Sequence, residues 1–131
     1  MPACDPLPVF GDTLGHHGGM TILDDFAAAR PEDVVRRGNE WYVDAFAVPD
    51  VIADATNRQV KVLGMEGFLI GERATYPALS RIADFSNDSS DVAGRKALAL
   101  LDGEWAAPPT PADQMNSEAS GRYMIAVVLA G

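Results

Sequence analysis

The two histidines of the chain, His16 and His17, are adjacent, and its one cysteine is Cys4. Adjacent side chains in a glycine-rich stretch splay apart, whereas a metal ion needs three or four ligands converging from a rigid scaffold. His16 and His17, with Asp12 as their nearest carboxylate, therefore read as a solvated loop rather than a metal site. Both histidines fall outside the periodic part of the sequence, so imidazole acid and base catalysis has no obvious placement. A lone thiol near the terminus has no second cysteine for a disulfide and no group held beside it to activate it. The remaining candidates for acid or base work are carboxylates such as Glu66, Glu72 and Asp84, and no spacing fixes a pair of them. Gly64-Met65-Glu66-Gly67 has the G-x-x-G spacing of RNA-clamping loops, but Glu66 places negative charge where phosphates would lie. That spacing reads better as backbone room in a bent strand. Gly11, Gly15, Gly18 and Gly19 fit neither the dinucleotide fingerprint nor the phosphate loop, and Asn87-Asp88-Ser89 is a glycosylation sequon of no use to a cytoplasmic chain. No cofactor and no metal is expected.

Charge is more informative than motifs. Nineteen Asp and Glu against ten Lys and Arg give a net charge of −9, which repels nucleic acid and anionic membranes and attracts basic surfaces. The imbalance is uneven: residues 1–49 hold eight acids and three bases, residues 50–81 four of each, and residues 82–131 seven acids and three bases. Asp84, Asp88 and Asp91 recur around the start of an expected helix, and Asp102, Glu104 and Trp105 follow its end. One reading is helix capping and a solvated face, with Trp105 a core residue at a helix end. The sharper reading is a negative patch with Trp105 as an exposed aromatic anchor, steering and holding a basic protein partner.

These residues must be positioned by a chain of 131 residues, 47% of them hydrophobic, which is enough for one core. Residues 1–20 carry prolines and glycines without periodicity and read as an irregular N-terminal arm, leaving 21–131 as a single domain. The opening residues lack a signal-peptide pattern and the longest apolar run, Met124–Ala130, is too short to span a bilayer, so a cytoplasmic location is expected. A short helix is predicted from Thr21, with Ile22, Phe26 and Ala29 on one face, then a second helical piece over 31–38, with proline and acids first and Gly38 last. Period-two alternation predicts a strand over 40–48, and Pro49 opens a helix ending near residues 57–59. Strands follow at 60–63 and 68–70, with a bulge, bend or tight connection at the intervening glycines, and a turn at 71–73 leads to Thr75 and Tyr76. Pro77 then starts a helix burying Leu79, Ile82 and Ala83. Ser90 or Asp91 caps a helix over 92–101 that Gly103 ends, and 106–121 is a surface loop. Residues 122–130, apolar on both faces, form a central strand covered by helices. The class is α+β (or α/β), a single sheet of about four strands packed with three to five helices.

Val62-Leu63-Gly64-Met65-Glu66-Gly67-Phe68-Leu69-Ile70 and the closing Arg122-Tyr123-Met124-Ile125-Ala126-Val127-Val128-Leu129 resemble segments of small bacterial immunity proteins of the nuclease-colicin and polymorphic-toxin type. The resemblance implies a compact, acidic, cytoplasmic fold that binds and blocks a cognate toxin, often a basic nuclease. It carries over no individual binding residue, so the candidate partner-binding set is Asp84, Asp88, Asp91, Asp102, Glu104 and Trp105, from charge placement alone. Two other classes remain open from sequence: a small carboxylate-dependent enzyme, and a structural or regulatory adaptor acting as a homodimer.

Overall fold

A computed structural model describes residues 18–109 and 121–131, which places Cys4, His16, His17, most of the N-terminal arm and most of the 106–121 loop outside the described residues. Strand β1 (Val34–Arg37) and β2 (Glu40–Asp44) form a hairpin, β3 (Val62–Ile70) and β4 (Thr75–Asp84) a second, and β5 (Arg122–Leu129) lies between them. Every pairing is antiparallel, in the order β1-β2-β5-β3-β4. With three helices, α1 (Gly18–Ala29), α2 (Val48–Asn57) and α3 (Ser90–Asp102), the fold is α+β.

The helices cover one sheet face. Val48, Val51, Ile52 and Ala55 of α2 and Ala93, Ala97 and Leu101 of α3 recur at helical spacing, and with Ile22 and Phe26 of α1 they bury Val43, Met65, Ile125 and Val127 of the sheet. The opposite face carries its own cluster, in which Tyr42, Ile70, Met124 and Ala126 pack with Val35 and Phe68. There β5 is buried on both sides as its sequence predicted, but helices cover only one of them. The other is closed by curling of the sheet. Tyr42 meets Phe68 edge to face at 5.1 Å across β5. Arg37, at the tip of the first hairpin, donates to the carbonyl oxygens of Gly71 and, at 3.1 Å, Ala74 in the turn of the second. At the other end of β2, the Arg122 guanidinium donates through Nε to Asp44 Oδ1 at 2.7 Å and through Nη2 to Asp44 Oδ2 and the Glu32 carbonyl.

Two predicted helices prove to be strands. Pro31–Asp33 makes a single 3-10 turn, after which Val34 and Val35 pair with Val43 and Tyr42. Gly38, at φ +61°, is the first central residue of a two-residue hairpin turn rather than a helix terminator, and β-branched residues favour that pairing. Pro77 opens no helix: it pairs with Phe68 in edge strand β4, where its missing N–H costs nothing. Leu79 and Ile82, expected to be buried, are 48% and 54% exposed. The strand signals at 60–63 and 68–70 merge into one continuous β3 that begins at Val62, and its glycines mark irregular pairing. Its partners jump from Ala78 opposite Gly67 to Ile82 opposite Glu66, so Leu79, Ser80 and Arg81 bulge out of the β3–β4 pairing within β4. That excursion lays Arg81 over Gly67, where an added Cβ would come within 2.7 Å of the Arg81 Cβ. The strand predicted over 40–48 stops at Asp44, because Ala45–Ala47 turns as a 3-10 helix into α2.

Asp44 is buried and, among the described residues, its one ion-pair partner is Arg122, so removing the carboxylate leaves that guanidinium without its counter-charge. Asp44→Ala is expected to cost about 2 kcal/mol in urea unfolding, discounted for the partial exposure of Arg122; an unchanged midpoint would show that the curl does not need the pair.

Candidate functional site

The predicted partner-binding acids are organised by α3. Ser89, one residue before the two sequence candidates, caps it by accepting from the Val92 N–H at 3.2 Å, and Gly103 ends it by donating to the Ala99 and Leu100 carbonyls. Asp91 and Asp102 thus stand at opposite ends of one helix, about 17 Å apart along its axis at 1.5 Å per residue. The six candidates do not converge into one patch.

Their local chemistry differs. Asp84 accepts from the Ser86 N–H at 2.9 Å, and the bonds from Ser86 hold its carboxyl below the usual range. Asp88 receives Lys96 at 3.1 Å, and Asp91 faces Arg95 at 3.6 Å one helical turn on. Glu104 lies 3.8 Å from Arg81. Asp102 is exposed and has no ion pair among the described residues. Trp105 is no exposed anchor: it is 2% exposed within the main core, and its carbonyl accepts from the Tyr123 hydroxyl at 3.0 Å. The chain turns into a short 3-10 helix at Glu104–Ala106, which swings the indole under α3. Around it, burial raises the Tyr123 phenol pKa while Arg81 pulls it back. The Arg81 Nε is buried without a hydrogen-bond partner.

Between the two acidic ends the α2–α3 crevice holds two recesses that share Leu98 and that charge placement did not reveal. Its first part, about 460 Å³, lies between α2 and α3 with Val60, Gly94 and Leu98 along it and Asp91 and Arg95 at its rim. Leu98 also borders the second part, again about 460 Å³, formed with Phe46, Pro49, Leu101 and Asp102. Phe46 is 70% exposed and Leu98 41%. The strand predicted over 40–48 included Phe46; the turn at Ala45–Ala47 instead leaves it exposed while Ala47 and Val48 go into the core. A third groove, between α1 and α2, is lined by charges that neutralise one another, with Arg58 bound to Asp25 at 3.0 Å and Arg30 to Asp50.

The candidate catalytic carboxylates are dispersed. Glu66 stands exposed opposite Ala126 and Ile82 on the sheet face away from the helices, Glu72 in the β3–β4 turn, and Asp84 at the end of β4. Asp84 is shifted downward, the reverse of what a general acid requires. Among the described residues no group of three His, Cys, Asp or Glu side chains is placed to hold a metal ion, and no helix is long and apolar enough to cross a membrane. Comparison with known proteins finds no matching family model, no similar curated protein and no similar solved structure.

Truncating Trp105 separates its two sequence readings. Trp105→Ala is expected to destabilise the chain by about 3 kcal/mol or more, as for a core indole; an exposed anchor would leave the melting temperature unchanged. Asp84, with a lowered folded-state pKa, contributes stability that is present above about pH 4 and lost as the pH falls through its folded value. Asp84→Asn is therefore expected to flatten the acid limb of stability against pH while leaving the chain folded at pH 7.

Proposed function

We propose that the chain is a protein-binding inhibitor of the immunity type, a cytoplasmic protein that captures a basic toxin, nuclease toxins included, and covers its active site. The observation that carries this reading is how its cations are used. Arg30, Arg58, Arg81, Arg95, Lys96 and Arg122 face carboxylates. Arg37 and Lys61 are held by backbone carbonyls, and Arg36 lies over the Trp41 ring. Arg73 is the one remaining base. By contrast Asp24, Glu32, Glu40, Asp54, Glu66, Glu72, Asp84 and Asp102 have no ion pair among the described residues, so the acid excess of this part of the chain is largely uncompensated by its bases. Such a field steers a basic partner and repels a second copy of the chain, which favours a heterologous complex over the homodimer.

The sheet edges support docking through side chains. The β4 edge is interrupted by Pro77 and by the excursion at 79–81, and the β1 edge is four residues long with two arginines. Both devices discourage addition of a partner strand. The exposed apolar groups beside α3 supply the desolvated contact that charge alone does not.

The direct test is co-expression with the product of the adjacent reading frame. The expected result is a one-to-one complex that inhibits the partner's activity and weakens by about tenfold or more between 50 and 300 mM salt. Failure to retain that product, or any basic protein, at low salt would overturn the reading.

A further inference from the structure

Resting on that reading of a basic partner, the geometry points to one end of the α2–α3 groove, formed by Phe46, Leu98 and Asp102, as a notch for an arginine side chain of the partner. The occupant follows from charge and shape. At the other end of the groove, Asp91 is already matched by Arg95 at 3.6 Å, so a cation arriving there finds a neutralised rim. Asp102 has no such neighbour among the described residues and is the last residue of α3, where the helix dipole adds negative potential. It borders the same recess as Phe46, the most exposed large hydrophobic side chain among the described residues, and Leu98.

An unpaired carboxylate and an uncovered aromatic ring sharing one recess suit a planar cation with an apolar stem. The guanidinium can stack on the Phe46 face while its fork meets both Asp102 oxygens, and its methylenes cover Leu98. Lysine offers a point charge without the plane, so it satisfies Asp102 and gains less from Phe46. On the other side of Leu98 the neighbouring recess, lined by Val60 and Gly94, offers room for an aliphatic residue one helical turn from the arginine. The docking element is thus an amphipathic helical segment of a basic protein, with the arginine and the aliphatic side chain on one face.

The probe is a fourteen-residue helical peptide on an alanine–glutamine background with one arginine and a leucine four residues on, titrated into the full chain and followed by NMR. Matched peptides carry lysine or citrulline in place of the arginine. The expected result is saturable shifts at residues 46, 98 and 102, weaker binding by lysine, and loss of binding by citrulline. Phe46→Ala and Asp102→Asn, both at exposed positions, are each expected to weaken the arginine peptide by about fivefold. The notch is overturned if no saturable binding occurs, if the shifts fall on another surface, if citrulline binds equally, or if neither substitution matters. The two readings fail separately. A complex with the basic partner that is indifferent to Phe46→Ala and Asp102→Asn sinks the notch and leaves the inhibitor; peptide binding without any basic partner does the reverse.

Discussion

The pair between Asp44 and Arg122 is the constraint from which the rest of this architecture follows. β2 and β5 share only two paired positions, Val43 with Ile125 and Asp44 with Met124, which is too short a ladder to fix the orientation of a hairpin. The bidentate contact at the end of that ladder adds a charge-assisted clamp between residues distant in the chain. With the base of the hairpin held there, its tip reaches the β3–β4 turn through Arg37, and the sheet curls enough to bury Tyr42, Met124 and Ile70 without a second helical layer. An antiparallel sheet with one bare face is ordinary. Here part of the second face is buried by the sheet's own curvature, and the exposed remainder carries Ile82 and Val128.

The same economy of cations shapes the surface. A guanidinium used to close a sheet, or to bridge α1 to α2 as Arg30 and Arg58 do, no longer offsets acid elsewhere. The acidity of the chain is therefore more than a compositional excess: its bases are spent on holding elements together, and unpaired carboxylates are what solvent meets. Arg81 is the extreme case. Placed over Gly67 by the excursion in β4, it is buried with Glu104 at 3.8 Å and its Nε unpaired, an arrangement that costs free energy wherever an N–H is left without an acceptor.

Helix α3 joins structure to the proposed binding role. Small Ala93 and Ala97 let its inner face sit close to the core, while Leu98 on its outer side borders the groove beside Phe46. Of the acids that drew attention in the sequence, only Asp91 and Asp102 border these recesses, and the set does not form one site. Asp88 and Asp91 serve α3 and its neighbouring bases, Asp84 closes a turn, and Asp102 is exposed with no ion pair among the described residues. Trp105, the aromatic that stood out in sequence, is core; Phe46, which did not, is exposed.

The sequence by itself determined the elements whose signals are local and unambiguous. Helical spacing with proline at its start marked α2, Gly103 marked the end of α3, and the unbroken apolar run required β5 to be central. It also determined the net charge. Tertiary structure decided wherever a local signal fits two conformations. Proline's fixed φ suits a helix start and an edge strand alike, so only the free edge of β3 makes 75–84 a strand. Val34 and Val35 could follow either pattern until Tyr42 and Val43 came alongside. Which acids are neutralised, and which aromatic is left outside, depend on contacts between residues far apart in the chain. Periodicity and composition hold no record of those contacts, because they describe each side chain's preference and not the neighbour it meets.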